Sequence, residues 1–254
     1  MSHGRRTLVQ LNVSPWSERA RWALDHHGIA YRKAEHLPLL GERRLRRLTG
    51  RAAGKVTVPV LLDGEAVIAD SWDIARHADR IGSGARLIPA EREAEIQRWN
   101  ELAEATMPHA RALVYARMMA HPPALDETLP GPVPGWARRV ARPVTKAVMR
   151  WFGRKHEVAR ADAATHLAEL RAGLKAVRAG LSGESSYLLG SFSYADIVAA
   201  TMLQGVRPVD DAYLRLGPAT REVWTNAELA GEFADLLAWR DALYRRHRRP
   251  AARS

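Results

Sequence analysis

The 254 residues include no cysteine. That absence excludes disulfides, thiolate metal sites and covalent chemistry through a protein thiol. Long hydrophobic runs are missing too. No stretch approaches the roughly 18 apolar residues of a membrane span, and the N-terminal MSHGRRTLVQL lacks the apolar core of a signal peptide. A cytoplasmic protein is therefore expected. Aromatic residues are sparse at 7 %, and acidic side chains number 28 against 39 lysines and arginines, a formal charge of +11. Hydrophobic residues still make up 46 %, enough to build a core and to exclude a disordered chain.

The basic excess is uneven. Residues 1–85 carry +5, residues 86–135 carry −2, residues 136–239 carry +3 and residues 240–254 carry +5. WARRVARPVTKAVMRWFGRK (136–155) holds seven basic residues and no acidic one. Without cysteine there is no zinc-finger spacing, and no aromatic–basic strand pair marks an RNA-binding sheet, so no specific nucleic-acid partner is expected. The arginine-rich end, YRRHRRPAARS (244–254), reads as a solvated tail. Weak contact with anionic surfaces fits the charge. Ten histidines show neither an HExxH spacing nor a cluster with carboxylates, so no metal site is expected.

The first 85 residues alternate between strand and helix patterns. TLVQLNV (7–13) reads as a buried strand, followed by a helix from 14–16 to Gly28. IAYRKAE (29–35) is a second strand and ERRLRRLTG (42–50) a basic helical segment. VPVLLDG (58–64) and EAVIAD (65–70) form a hairpin turning at Asp63-Gly64, and SWDIARHADRI (71–81) is a helix capped by Ser71. After GSG (82–84) the pattern turns helical: 91–119 with a bend near Pro108, a proline-rich connection over 121–135, basic helix to 152, and a helix from 157 to 180. Helices over 193–206, 208–216, 219–225 and 228–247 complete the chain. The domain boundary falls at residue 83, with 1–83 an α/β domain and 84–254 all-helical, carrying an extended basic segment over 121–155.

Four short motifs carry chemistry. In SPWSERARWAL, Ser14 and Ser17 straddle Pro15 and Trp16 at a helix entry; they either cap backbone amides or point at a bound molecule. In VTVPV (56–60), Pro59 begins a strand. It marks an edge, or else a cis Val58–Pro59 bond exposes Val58's backbone to a tripeptide docked as an added strand. In ADSW (69–72), Ser71 caps a helix whose amides could hold a carboxylate while Asp70 meets an ammonium group. In SFSYAD (191–196), Ser193 and Asp196 form a capping box for a strongly apolar helix, a structural role. Met107 and Tyr115, with Trp99, Met118 and Met119, line either a cleft or a core.

In this order and spacing the pieces resemble the cytosolic glutathione S-transferase family, over most of the chain. SPWSERARWAL resembles the family's catalytic helix entry, TVPVLLDG its cis-proline strand and hairpin, and ADSWDIARHAD its γ-glutamyl-binding helix start. LIP (87–89) resembles the interdomain junction and GSFSYADI (190–197) the C-terminal capping motif. The resemblance implies a thioredoxin-like N-terminal domain followed by an all-α C-terminal domain, the glutathione transferase fold. It implies glutathione as co-substrate, with Ser14 donating a hydrogen bond to the sulfur, an electrostatic and not a nucleophilic role. Val58 would pair through its backbone with the cysteinyl residue, beside Pro59. Asp70 and Ser71 would hold the γ-glutamyl end, and Arg43 or Lys55 would meet the glycyl carboxylate. Trp16, Ser17, Met107 and Tyr115 are candidates for the second-substrate pocket, with Ser17 also placed as a first-turn cap. With serine at position 14 and no cysteine, the covalent thiol exchange of cysteine-type relatives is excluded.

The function expected is activation of the glutathione thiol for attack on a small hydrophobic electrophile, as in detoxification, by a homodimer. The alternative is a non-catalytic relative that binds a ligand or partner.

Overall fold

The computed structural model describes residues 6–129, 133–159, 161–181, 183 and 185–250. The elements run β1 (Thr7–Gln10), α1 (Pro15–His26), β2 (Arg32–Glu35), α2 (Glu42–Thr49), β3 (Val60–Asp63), β4 (Ala66–Ala69) and α3 (Ser71–Ile81). Among the described residues eight α-helices follow: α4 (Glu93–Ala120), α5 (Pro122–Glu127), α6 (Gly135–Lys155), α7 (Ala163–Gly180), α8 (Tyr194–Met202), α9 (Pro218–Trp224), α10 (Ala227–Glu232) and α11 (Ala234–His247). The architecture is the expected one, an α/β thioredoxin-like N-terminal part followed by helices.

The chain forms two compact units. The first runs to Glu101 and takes back Leu181–Thr201 and Ala242–Arg249; the second holds Leu102–Gly180 and Met202–Asp241. The division by contacts falls inside α4. Two returning segments enlarge the first unit. The amide of Tyr194 donates to the carbonyl of Leu87 at 2.9 Å, and Arg248 pairs with Glu18 and Asp25 on α1 at 2.8 and 2.5 Å.

In the first unit the sheet order is β2-β1-β3-β4. β1 and β2 are parallel, while β3 is antiparallel to both β1 and β4. Alternation along the strands makes two apolar faces. Val9, Val60, Leu62, Ala34 and Ala69 pack with Leu45 and Leu48 of α2. Leu8 and Leu61, register partners and fully buried, point the other way. α1 packs along α3, each burying apolar side chains: Ala20, Trp22, Ala23 and Leu24 from α1, Ile74, Ala75 and Ala78 from α3. Asp79 on α3 holds the segment beyond. Its carboxylate accepts from the amides of Leu87 and Ile88 at 2.9 and 2.7 Å, and its Oδ1 lies 2.5 Å from His27 Nε2.

The capping motif differs in detail from the expected box. Asp196 does reach back, accepting from the amides of Leu188 and Ser193, both at 2.9 Å. The Ser193 hydroxyl donates to Asp196 at 3.1 Å, and among the described residues it accepts from no amide of α8. Burial raises this carboxyl to about 6 even though those hydrogen bonds favour the charged form.

In the second unit the proline-rich connection begins as a helix. Pro122 and Pro123 occupy the first turn of α5, where no N–H is needed, and His121 Nδ1 accepts from the Ala124 amide at 3.2 Å. The next two residues tie neighbours together. Asp126 takes both arms of Arg142 on α6 at 2.7 and 2.6 Å, and Glu127 caps α9 by accepting from the amides of Ala219 and Thr220 at 3.1 and 2.7 Å. Residues 208–216 are not helical: Pro208 opens the segment and Asp210 folds a side-chain turn onto the Ala212 amide. The helix expected over 228–247 breaks at Phe233, fully buried under the guanidinium of Arg178 at 4.4 Å. The helix expected from 157 starts instead at 163, where Asp162 accepts from the Thr165 amide at 2.7 Å.

The arginine-rich end is not a solvated tail throughout. The Arg248 and Glu18 side chains are 7 % and 6 % exposed. Burial alone would raise the Glu18 carboxyl, but Arg248 and Arg21 override it and hold the group at about 2, below its usual 4.5. A carboxyl lowered on folding stabilises the fold fully above pH 4.5, and that contribution is lost as pH falls toward 2. Arg248→Met should therefore cost about 3–5 kcal/mol in urea unfolding at neutral pH, because it strands a buried charge. The gap to the parent should narrow as the pH is lowered through that window.

Candidate functional site

The strand register alone gathers the site. β1 runs toward Gln10, and Val9 faces Val60, the first residue of antiparallel β3. The chain before β3, Val58 and Pro59, therefore lies alongside the end of β1. β4 runs back to the same end, with Ala69 opposite Val60, and the Asp70 amide donates to the Pro59 carbonyl at 3.3 Å. The loop into α1, the Val58–Pro59 pair and the start of α3 thus share one end of the sheet. Ser14, Val58, Pro59, Asp70 and Ser71 all sit there.

Ser14 is the N-cap of α1. Its backbone is extended and its hydroxyl oxygen accepts from the Ser17 amide at 3.4 Å, a long bond. An accepting hydroxyl keeps its hydrogen, so Ser14 remains able to donate at a helix N-terminus, where partial positive charge favours anions. Ser17 differs: fully buried, its hydroxyl accepts from the Leu11 amide at 3.2 Å and holds the loop from behind. Trp16 is half-buried, with the Arg19 guanidinium 5.7 Å from its ring. Arg19 itself is fully buried and donates to Thr201 on α8 at 2.9 Å.

The Val58–Pro59 peptide is cis. Pro59 is buried and Val58 half-buried. Among the described residues neither the N–H nor the C=O of Val58 takes a backbone partner. At α3 the cap is Asp70 and not Ser71: the Asp70 carboxylate accepts from the Trp72 amide at 2.8 Å, and Ser71 is the first helical residue, 1 % exposed. Asp70 is exposed yet has φ 84°, a conformation that costs a non-glycine residue on the order of 1–3 kcal/mol.

Residues that the motif reading missed hold this end of the sheet in place. Arg21, buried on α1, donates to Glu18 at 2.8 Å, to Gln10 at 2.7 Å and to the carbonyl of Asn12 at 3.0 Å. Glu35 at the end of β2 accepts from the Asn12 amide at 2.6 Å and from Gln10 at 3.2 Å. The loop that presents Ser14 is therefore clamped from both sides. The available signal was charge in the wrong place: Glu18, Arg19 and Arg21 share a short helix with five buried apolar or small residues.

Arg43 and Lys55 are both exposed; Arg43 lies on α2, where Leu45 is the residue turned inward. Met107 and Tyr115 belong to the second unit. Met107 is buried, and Tyr115 lies against Gly153 of α6, where a Cβ would come within 2.6 Å of its hydroxyl. Among the described residues no group of three or more histidines and carboxylates could hold a metal ion.

Residues 13–81 match the family model described as Glutathione S-transferase, N-terminal domain. No curated protein sequence matches the chain. Solved structures resemble it along nearly its whole length. Glutathione transferase GSTFuA2 from Phanerochaete chrysosporium has a TM-score of 0.64 at 18 % identity, covering 98 % of this chain and 100 % of that one. The beta-etherase LigF from Sphingobium has 0.63 at 16 %, covering 96 % of each. A glutathione S-transferase of Ceriporiopsis subvermispora, solved in complex with glutathione, has 0.61 at 17 %, covering 96 % and 95 %.

The two serines of the helix entry should separate in a stability test. Ser17→Ala leaves a buried amide unpaired and should cost about 1–3 kcal/mol. Ser14→Ala removes only a long capping bond and should cost under about 1 kcal/mol. Urea unfolding of both variants measures the difference; equal losses would contradict it.

Proposed function

On a glutathione transferase fold with a matching N-terminal domain, we propose that this protein binds glutathione at the sheet end and activates its thiol. The observation that carries the reading is the convergence at one place of three complementary groups. The Ser14 hydroxyl sits at a helix N-terminus, Val58 offers an unpaired backbone N–H and C=O, and Asp70 stands at the start of α3.

A cysteinyl backbone laid along Val58 would complete a short antiparallel pairing and leave its sulfur beside Ser14. There the retained hydroxyl hydrogen and the α1 dipole favour the thiolate over the thiol, each unit of lowered pKa being worth about 1.4 kcal/mol. Asp70 would meet the γ-glutamyl ammonium, with the start of α3 near its carboxylate. Arg43 or Lys55 would serve the glycyl end. The thiolate would then attack a small hydrophobic electrophile, with Trp16 at the rim of the acceptor site and Ser17 supporting the loop beneath. The same reading makes the protein a cytoplasmic homodimer with a role of the detoxification kind.

Calorimetric titration with reduced glutathione, joined to a thiolate absorbance titration of the complex, tests this. One saturable site per chain is expected, with a bound thiol pKa below that of free glutathione. Asp70→Asn should weaken binding about tenfold, since a charge-assisted contact is lost. Ser14→Ala should raise the bound thiol pKa by about one unit and leave affinity within a few-fold. Absence of saturable binding at cellular glutathione concentrations would overturn the assignment, and an unchanged thiol pKa in Ser14→Ala would remove that residue from it.

A further inference from the structure

α6 divides its circumference into three sectors. At 100° per residue, Thr145, Met149 and Gly153 share one side. Thr145 and Gly153 are buried, and Met149 packs with Met118, Ala124 and Val223. Arg138 and Arg142 share that inner side, nearer the start of the helix. Arg142 is clamped by Asp126, and Arg138 donates to the carbonyls of Val133 and Asp126, both at 2.8 Å. The outer side is different. Trp136 and Val140 are each 72 % exposed and Val144 is 67 % exposed, spaced four residues apart as one stripe about 12 Å long. Ala147 continues the stripe and is also exposed. Along its margin lie Arg139, Lys146 and Arg150, with Arg154 at its far end. Among the described residues none of these four is joined to a carboxylate by a hydrogen bond or ion pair.

We propose that α6 is a membrane-surface helix, laying its Trp136–Val140–Val144 stripe into the headgroup boundary of an anionic bilayer while Arg139, Lys146, Arg150 and Arg154 meet lipid phosphates and carboxylates. An apolar stripe rimmed by cations, with tryptophan at one end, is the pattern of a helix lying in the interface. Basic side chains long enough to bend toward the headgroups let the stripe enter while their charges stay wet. The 136–155 segment carries no acidic residue to oppose contact. The same fact disfavours a second copy of the chain as occupant, since pairing two such faces sets cation against cation. A nucleic acid would use the arginines, and an unpaired base could stack on Trp136, but it gains nothing from the two valines that continue the stripe. Among the described residues no helix is long and apolar enough to cross a membrane, so contact would be peripheral. The proposal does not depend on the glutathione reading.

Co-sedimentation of the full chain with vesicles of phosphatidylcholine alone, or with phosphatidylserine added, tests it. Binding to the anionic vesicles should exceed binding to neutral ones about tenfold and weaken as salt is raised. The triple variant Trp136→Ala, Val140→Ser, Val144→Ser should lose about tenfold in anionic-vesicle binding. A second variant, Arg139→Gln, Arg150→Gln, Arg154→Gln, should lose the preference for anionic lipid. All six positions are exposed, and an unchanged circular dichroism spectrum verifies folding of both variants. Three results would each overturn the proposal. One is no vesicle binding by the parent. Another is binding that the apolar variant retains in full, which would mean simple attraction to polyanions. The third is a dimer that the apolar variant dissociates without the parent binding vesicles, which would mean the stripe is a subunit interface.

Discussion

The N-terminal unit depends on a buried set of charges that no single segment could satisfy. Glu18 on α1 is buried with almost no solvent, and there an isolated carboxylate would be prohibitively costly. Arg21, one turn along the same helix, supplies one partner, and Arg248, some 230 positions later in the chain, supplies the other. Arg248 also takes Asp25 at 2.5 Å. Neighbouring contacts extend the tie: the Trp22 indole donates to the carbonyl of His247 at 3.1 Å, and its ring meets Tyr244 edge-on at 4.5 Å. α1 is thus fixed against the end of the chain by charge, a hydrogen bond and aromatic packing together. A buried ion pair contributes little net stability compared with an apolar substitute, yet removing half of it is severe. Here one guanidinium meets both carboxylates, which ties the returning segment to α1 at a single residue.

That constraint reaches the candidate site through Arg21. The guanidinium facing Glu18 also grips Gln10 and the carbonyl of Asn12, two residues before Ser14. Glu35 takes the Asn12 amide from β2, and Ser17 takes the Leu11 amide from within α1. The helix entry is therefore held by residues with no part in binding. This matters because a hydrogen bond from Ser14 to an anion gains most when the donor is already in place and need not reorganise. On α3 the equivalent rigidity comes from the carbonyl of Pro59, which holds the Asp70 amide while Asp70 holds that of Trp72. Each of the three segments at the sheet end is pinned by its neighbours, and the strained φ of Asp70 is sustained by that pinning.

Local signals were legible in the sequence and long-range ones were not. α3 falls on 71–81 as its periodicity indicates, the hairpin brackets Gly64, and the order of the seven N-terminal elements is the expected one. These features rest on spacing within a dozen residues. Where two local devices compete, the sequence is ambiguous. Asp70 and Ser71 are both good caps; a Ser71 cap would free Asp70, whereas the structure commits its carboxylate to Trp72. Segments whose shape is set by a distant partner were misread. Residues 208–216 lack a helix because Pro208 and Asp210 form a turn, and Arg221 donates to the carbonyls of Val209 and Leu214 from α9. The terminal arginines looked solvated because nothing in YRRHRRPAARS says that Glu18 and Asp25 await one of them.

The same blindness explains the basic segment, where composition merges two kinds of arginine. Read as a string, 136–155 is a uniform cationic run. Folded, it sorts itself by angle around one helix. Arg138 and Arg142 are consumed by α5 and by the chain leading into α6, so they act as fasteners. Arg139, Arg150 and Arg154 are exposed on the flank that leads to the tryptophan and two valines, Arg139 still acting on the Asp126 charge. The fasteners make the exposure of the stripe a fixed property, because rolling α6 to bury Trp136 would tear Arg142 from Asp126 and lift Gly153 away from Tyr115. A helix locked in rotation presents one constant face to its surroundings. The second unit thus holds an apolar, cation-rimmed surface outward by the same means that the first unit uses to hold Ser14 in place: arginines spent on backbone carbonyls and carboxylates at elements far apart in the chain.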